Sequence, residues 1–168
     1  FYGSIMQDFT NKIAVVTGGG TGMGRELVCQ LIAAGAHVAM CDVSAENMAE
    51  TKRLASALGQ GRLTSHDCDV SSEQDVSRFR DEVAQQHDTQ HINLLFNNAG
   101  IGAGGSILAE DRSEWERTFN VCWYGVYFGC ITFLPMLRAS AESRIINTSS
   151  VNGFFASVGP YVPHTAYC

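Results

Sequence analysis

The stretch Thr17-Gly18-Gly19-Gly20-Thr21-Gly22-Met23-Gly24 has the composition of a loop that holds an anion by its backbone. N–H groups at the first turn of a helix, with the helix dipole behind them, face a pyrophosphate, and glycine lets phosphate oxygens approach without meeting a Cβ. Gly18, Gly22 and Gly24 follow a Gly-x-x-x-Gly-x-Gly spacing rather than Gly-x-Gly-x-x-Gly. A triphosphate P-loop is excluded, because Arg25-Glu26 stand where a lysine and a hydroxyl residue are required. A flexible turn is the bland alternative. Asp42 lies 18 residues beyond Gly24. Its carboxylate can accept hydrogen bonds from both hydroxyls of an adenosine ribose and would repel a 2′-phosphate. Thr21 supplies no cation for such a phosphate, so the pattern predicts NAD rather than NADP, with Met23 and Val43 beside it. For Asp42 the alternative is a simple turn residue.

These groups need a frame, and the hydrophobic pattern supplies one. Ile13 to Thr17 is a short apolar run closed by glycines, as a strand buried on both faces would be. Met23, Leu27, Val28, Leu31 and Ile32 then recur at helical spacing, with Gly35 as a stop signal. His37 to Cys41 reads as a second strand, and residues 45 to 58 as a helix. A short strand ends near Asp67, and Ser71 or Ser72 can cap a helix over about 73 to 86. Ile92 to Phe96 is a strand, 113 to 138 a long helix, and Arg144 to Thr148 a strand. Alternating strands and helices, joined by crossovers too long for hairpins, predict an α/β fold: a doubly wound parallel sheet with helices on both faces. Residues 1–10 read as an N-terminal extension, 11–150 as a dinucleotide-binding domain, and 151–168 as an active-site loop without defensible periodicity.

Bulk properties narrow the partners. The 168 residues are 45% hydrophobic and 17% charged, an ordinary globular composition able to form one core. A net charge of -6 argues against a nucleic-acid or anionic-membrane surface, leaving small molecules as expected ligands. The six cysteines include no C-x-x-C pair and read as reduced, which with the lack of a visible signal segment gives a cytoplasmic expectation. The five histidines have no metal-ligand spacing with the cysteines, so no metal is expected. Thr118 to Leu137 holds no charge over 20 positions, the length of a membrane span. The preferred reading is a helix covered by the sheet on one side and by a second subunit on the other, making a homo-oligomer through 113–138 around Gly125 and Gly129. Trp115, Phe119, Trp123, Tyr127 and Phe133 fit core or interface positions.

Gly18-x-x-x-Gly22-x-Gly24, Asp69-Val70, Asn97-Asn98-Ala99-Gly100 and Asn120 occur in the order found in short-chain dehydrogenase/reductases, a family this sequence resembles from about residue 11 onward. By that resemblance Asp69 and Val70 bracket an adenine, and Asn97, Ala99 and Gly100 pass beside the cofactor. The family's catalytic set is Asn, Ser, Tyr and a Lys four residues after the Tyr. Ser150, followed by two residues and Gly153, matches the serine, and Asn120 would bend its helix around a water in the proton relay. Tyr161 and Tyr167 compete for the tyrosine. Tyr167, in Thr165-Ala166-Tyr167-Cys168, is the better match and places its Lys beyond position 168.

The implied activity is interconversion of a secondary alcohol and a ketone. A phenol with a pKa near 10 is only about one-thousandth ionised at neutral pH, so Tyr167 would need nearby positive charge to shuttle a proton. A second expectation is a C-terminally incomplete NAD-binding module without turnover, lacking the Lys and the later strands. Phe154, Phe155, Val158 and Tyr161 suggest an apolar substrate.

Overall fold

The computed structural model describes residues 6–102 and 112–150. Residues 1–5 and the expected active-site loop 151–168, with Tyr161 and Tyr167, lie outside the described residues. The elements run β1 (Ile13–Thr17), α1 (Gly22–Ala33), β2 (His37–Asp42), α2 (Ala45–Ala55), β3 (Leu63–Asp67), α3 (Glu73–Gln86), β4 (Leu94–Asn97), α4 (Arg112–Phe119), a π-helical turn (Asn120–Tyr124), α5 (Gly125–Arg138) and β5 (Arg144–Asn147). All the described strands are parallel, in the order β3-β2-β1-β4-β5. The chain steps outward from β1 to one edge and then returns to build the other side. That reversal opens a crevice at the carboxyl ends of β1 and β4, where ligands bind in open α/β sheets.

Two apolar layers sandwich the sheet, and strand alternation assigns residues to them. Ile13 and Val15 point with Ala39, Cys41 and Leu95 toward α3 and α5, meeting Phe79, Val83, Phe133 and Met136. Ala14 and Val16 point with Val38 and Met40 toward α1 and α2, meeting Val28, Ile32 and Met48. Burial on both faces is why β1 and β2 are continuous apolar runs. Met6 and Phe9 pack against the second layer, so the described part of the N-terminal stretch is docked on the domain rather than extended from it.

β3 differs because it is a polar edge strand. Its buried His66 is held by Glu82 (Nδ1 to Oε2, 2.6 Å) and Thr64 (2.8 Å), and Thr64 also meets the Nε2 of His87 at 2.9 Å. At the other end of the sheet, Asn93 joins three segments. Its Oδ1 accepts from the Ile13 N–H, and its Nδ2 donates to Ser140 Oγ and the Glu142 carbonyl. β4 therefore begins at Leu94, two residues later than the apolar pattern suggests, because Asn93 serves as this clamp.

The helix 112–138 is long and apolar enough to cross a membrane by length and composition. Yet Gly125, Gly129, Thr132, Phe133, Met136 and Leu137 are buried, with Gly125 against Val70 and Gly129 against Asn97. The two glycines expected at a subunit interface thus serve this chain's own packing. The outward face carries Trp123, Tyr127, Ile131 and Leu134, and Trp115, Phe119, Trp123 and Tyr127 stack successively along it.

Candidate cofactor site

A cavity of about 530 Å³ opens at the carboxyl edge of the sheet. Its wall contains Gly18, Thr21, Gly22, Met23 and Gly24 after β1, Asp42 and Val43 at the end of β2, Asp69 and Val70 after β3, and Ala99 and Gly100 after β4. Thus the sequence-selected segments converge from four strand ends. Its volume falls within the roughly 300–1,000 Å³ of small-molecule sites.

The glycine loop is fixed from behind. Arg25 donates to the Gly20 carbonyl through Nη2 (2.6 Å) and Nε (3.1 Å), and the Thr51 hydroxyl lies 3.0 Å from the Gly19 carbonyl. Asn98 Nδ2 donates to the Thr17 carbonyl, while Thr17 Oγ1 accepts from the N–H groups of Asn98 and Ala99. With those carbonyls held, the N terminus of α1 looks into the cavity. Its N-cap, Thr21, makes no side-chain capping bond, and its first turn contains no acidic residue. Gly22 has a φ of 55°, a left-handed conformation that disfavours other residues. At Gly24 a Cβ would run into the Gly18 carbonyl and the Asn98 amide.

The Asp42 carboxylate is pre-positioned. Oδ2 accepts from the Gly20 N–H and Oδ1 from the Ser44 N–H, both at 3.0 Å. Those bonds use two of about four lone-pair sites on an ionised carboxylate, leaving room for two hydroxyl donors. Asp69 is turned into its own loop, accepting from the Ser71 N–H (2.9 Å) and hydroxyl (2.7 Å). Its backbone N–H donates to Asp75, whose pKa is lowered by Arg78 first and by that bond second. These features fit a dinucleotide: an open helix N terminus for a pyrophosphate, and a held carboxylate for a ribose.

Two sequence expectations change. Asn97 is buried behind the cavity rather than in its wall, and its Nδ2 donates to Asn147 Oδ1 at 2.9 Å. Asn120 starts the π-helical turn, but its side chain is exposed and outside the cavity wall. The reason is helical phase. Asn120 shares a stripe with Tyr124, Tyr127, Ile131 and Leu134, all turned away from the sheet. The residue of that turn that reaches the loop after β4 is Cys122, whose Sγ lies 3.6 Å from the Ile101 carbonyl. Ser150 is half-buried, two residues past the cavity-lining Thr148. Sequence reasoning missed Cys68, Ser71, Asn98, Ile101, Gly102, Arg117, Val121 and Thr148 in the wall. Arg117 and Val121, one helical turn apart, carried a usable signal, since they share a face. Among the described residues no cluster of three or more metal-binding side chains occurs.

Comparison with known proteins agrees with this geometry. The short chain dehydrogenase family model matches residues 12–166. A Mycobacterium tuberculosis protein named as the oxidoreductase SadH is 37% identical over 154 residues, covering 92% of this chain and 55% of its own length. Meso-2,3-butanediol dehydrogenase of Serratia marcescens is 35% identical over 145 residues, covering 86% of this chain and 55% of its own. The chain thus spans about half the length of the curated relatives it matches. A Burkholderia phymatum short-chain dehydrogenase/reductase in complex with NAD superposes with a TM-score of 0.87 at 30% identity, covering 96% of this chain and 57% of that one. A metagenomic short-chain oxidoreductase in complex with NADP gives 0.83 at 30% identity, covering 95% and 71%.

Proposed function

Because the chain belongs to the short-chain dehydrogenase family, we propose that it binds NAD in this cavity and serves an oxidoreductase that interconverts a secondary alcohol and a ketone. The carrying observation is the pairing of an uncapped α1 N terminus with the fixed carboxylate of Asp42 at one cavity. NAD, when bound, supplies the hydride acceptor, and NADH the donor. The N–H groups of the α1 first turn hold the pyrophosphate, and Asp42 accepts from the adenosine ribose hydroxyls. A 2′-phosphate would meet the Asp42 charge, while Arg25, in the first turn of α1, is committed to the Gly20 carbonyl. That supports NAD over NADP.

Val70 and Met23 give the wall apolar surface for the adenine side, and Ala99 and Gly100 leave room on the opposite side. By family resemblance, Ser150 holds the substrate oxygen and Tyr167 exchanges its proton. The butanediol dehydrogenase relative supports a small alcohol or ketone as substrate. A homo-oligomer through the aromatic face of 112–138, and a reducing cytoplasmic setting consistent with five free described cysteines, complete the reading. Light scattering of Leu134→Glu against the parent chain tests the former.

The test of function is paired: NAD titration, then NADH formation with a panel of secondary alcohols. Saturable NAD binding with alcohol-dependent NADH formation supports the proposal. Binding with no turnover on any alcohol, by protein that carries Ser150, Tyr167 and the lysine four residues after Tyr167, would remove the oxidoreductase part.

A further inference from the structure

Among the described residues Cys68 is the one cysteine in the cavity wall, and Cys41 lies in the same buried layer. β2 and β3 pair Cys41 with His66 and Asp42 with Asp67, and the Cys68 N–H continues the ladder to the Asp42 carbonyl at 3.3 Å. Side chains alternate along strands, so Cys68, two residues beyond His66, projects from the same face as Cys41. Both lie in the apolar layer with Val70 and Val76, Cys41 fully buried and Cys68 2% exposed. Each is followed directly by a cavity aspartate, Asp42 or Asp69.

We propose that Cys41 and Cys68 form an oxidisable thiol pair whose disulfide distorts the adenosine end of the cavity and weakens dinucleotide binding, an inference that rests on the cavity's holding the cofactor. The oxidant is a small peroxide able to enter the cavity. The Cys68 sulfur attacks one peroxide oxygen, the O–O bond breaks, and a sulfenic acid and one water form. The Cys41 sulfur then attacks the sulfenic sulfur, giving the S–S bond and a second water. Two thiols and one hydrogen peroxide become one disulfide and two waters, the two sulfurs having given two electrons to the peroxide.

The order of attack follows from environment. Cys68 lines the cavity that a peroxide enters while Cys41 is fully buried, so Cys68 is oxidised first; the Cys41 thiol, pushed well up by its hydrogen bond with Cys68 and by burial, gives up its proton as it attacks the sulfenic sulfur. The register makes the pair diagonal rather than directly opposed, about 8 Å between backbones from strand spacing and rise, whereas a relaxed disulfide needs Cα atoms within about 4.4–6.8 Å. Closing the bond therefore draws Cys68 back along β3 and pulls Asp69 and Val70 out of place. The same strain makes the disulfide easy to reduce.

The experiment treats the full chain with hydrogen peroxide, maps disulfides by peptide mass, and titrates NAD before oxidation, after it, and after dithiothreitol. The expected results are a Cys41–Cys68 linked peptide, NAD affinity lowered by about tenfold or more, and recovery on reduction. Cys41→Ala and Cys41→Ser should keep their NAD affinity through peroxide treatment. NAD added beforehand should slow the linkage, because Cys68 is then covered. Absence of the linked peptide, or its presence with unchanged NAD affinity, overturns the proposal. If the reduced chain binds no dinucleotide, the cavity assignment fails and the closure with it, while the peptide masses still decide whether the thiols pair.

Discussion

The helices that follow β1, β2 and β3 begin in two different ways. α2 and α3 close their own N termini: Ser44 accepts from the Asn47 N–H, Ser72 accepts from the Asp75 N–H, and Glu46, Glu73 and Asp75 set negative charge in the first turns. Such caps and charges satisfy orphan N–H groups and complement the dipole. α1 has neither device, although Thr21 is a residue type able to cap. An uncapped helix start costs stability unless something else serves it, and here it opens into a cavity edged by a fixed carboxylate. The fold has sealed two helix starts for itself and kept the third for a ligand.

The sharpest way to break that contrast is to fill the space beneath the open N terminus. Gly24→Ala forces a methyl against the Gly18 carbonyl and the Asn98 amide, and should cost about 1–3 kcal/mol of stability and abolish NAD binding. Thermal melting and titration read both effects. Asp42→Ala removes the carboxylate while leaving the loop glycines, and should weaken NAD by about 1.5–3 kcal/mol, with NADP losing less. Equal losses for both dinucleotides in calorimetry would remove Asp42 from the selectivity argument.

The opposite end of α3 gives a pH test of the self-closed helix. Burial first, and then Arg62, His37 and His66, hold the His87 pKa down at about 4. His66 is lowered by burial, with Glu82 opposing. A histidine kept neutral in the fold takes up its proton more readily once unfolded. Stability is therefore full above the ordinary histidine range near 6.5 and falls as pH drops from there toward about 4. His87→Gln, which can still reach Thr64, should flatten part of this slope in melts across that range, with His66 supplying the remainder.

The smallest effects separate the helix starts directly. Ser72→Ala should cost about 1 kcal/mol without changing NAD affinity. Thr21→Ala should change stability by less than about 0.5 kcal/mol, since no capping bond is lost. Denaturant melts that reversed these magnitudes would contradict the contrast.

Much of this architecture was legible because period and burial coincide. β1 and β2 are buried on both faces and read as apolar runs; α3 has the extent its amphipathic period implies, and Ser72 is its cap. The glycine loop and Asp42 were legible for a different reason, since they stand at strand ends on the ligand edge, and Asp69 and Ala99 were legible through the family resemblance. The uncharged helix hid its orientation. Without polar residues on one side, nothing in composition showed which face met the sheet, and the structure turns Asn120 out. The burial of Gly125 and Gly129 against Val70 and Asn97 fixes that phase. β3 was faint because its inward positions are polar, and Thr64, His66 and Glu82 satisfy one another only once β3 and α3 are brought together.

The central claim is that α1 keeps its N terminus for a pyrophosphate. The most direct measurement is amide chemical-shift mapping with adenosine and with ADP, following the first-turn residues of α1 and α3. Met23 and Gly24 should shift strongly with ADP and little with adenosine, while Asp75 should respond alike to both. Equal responses at Met23 and Gly24 to the two ligands, or a pyrophosphate-dependent shift confined to α3, would contradict the account.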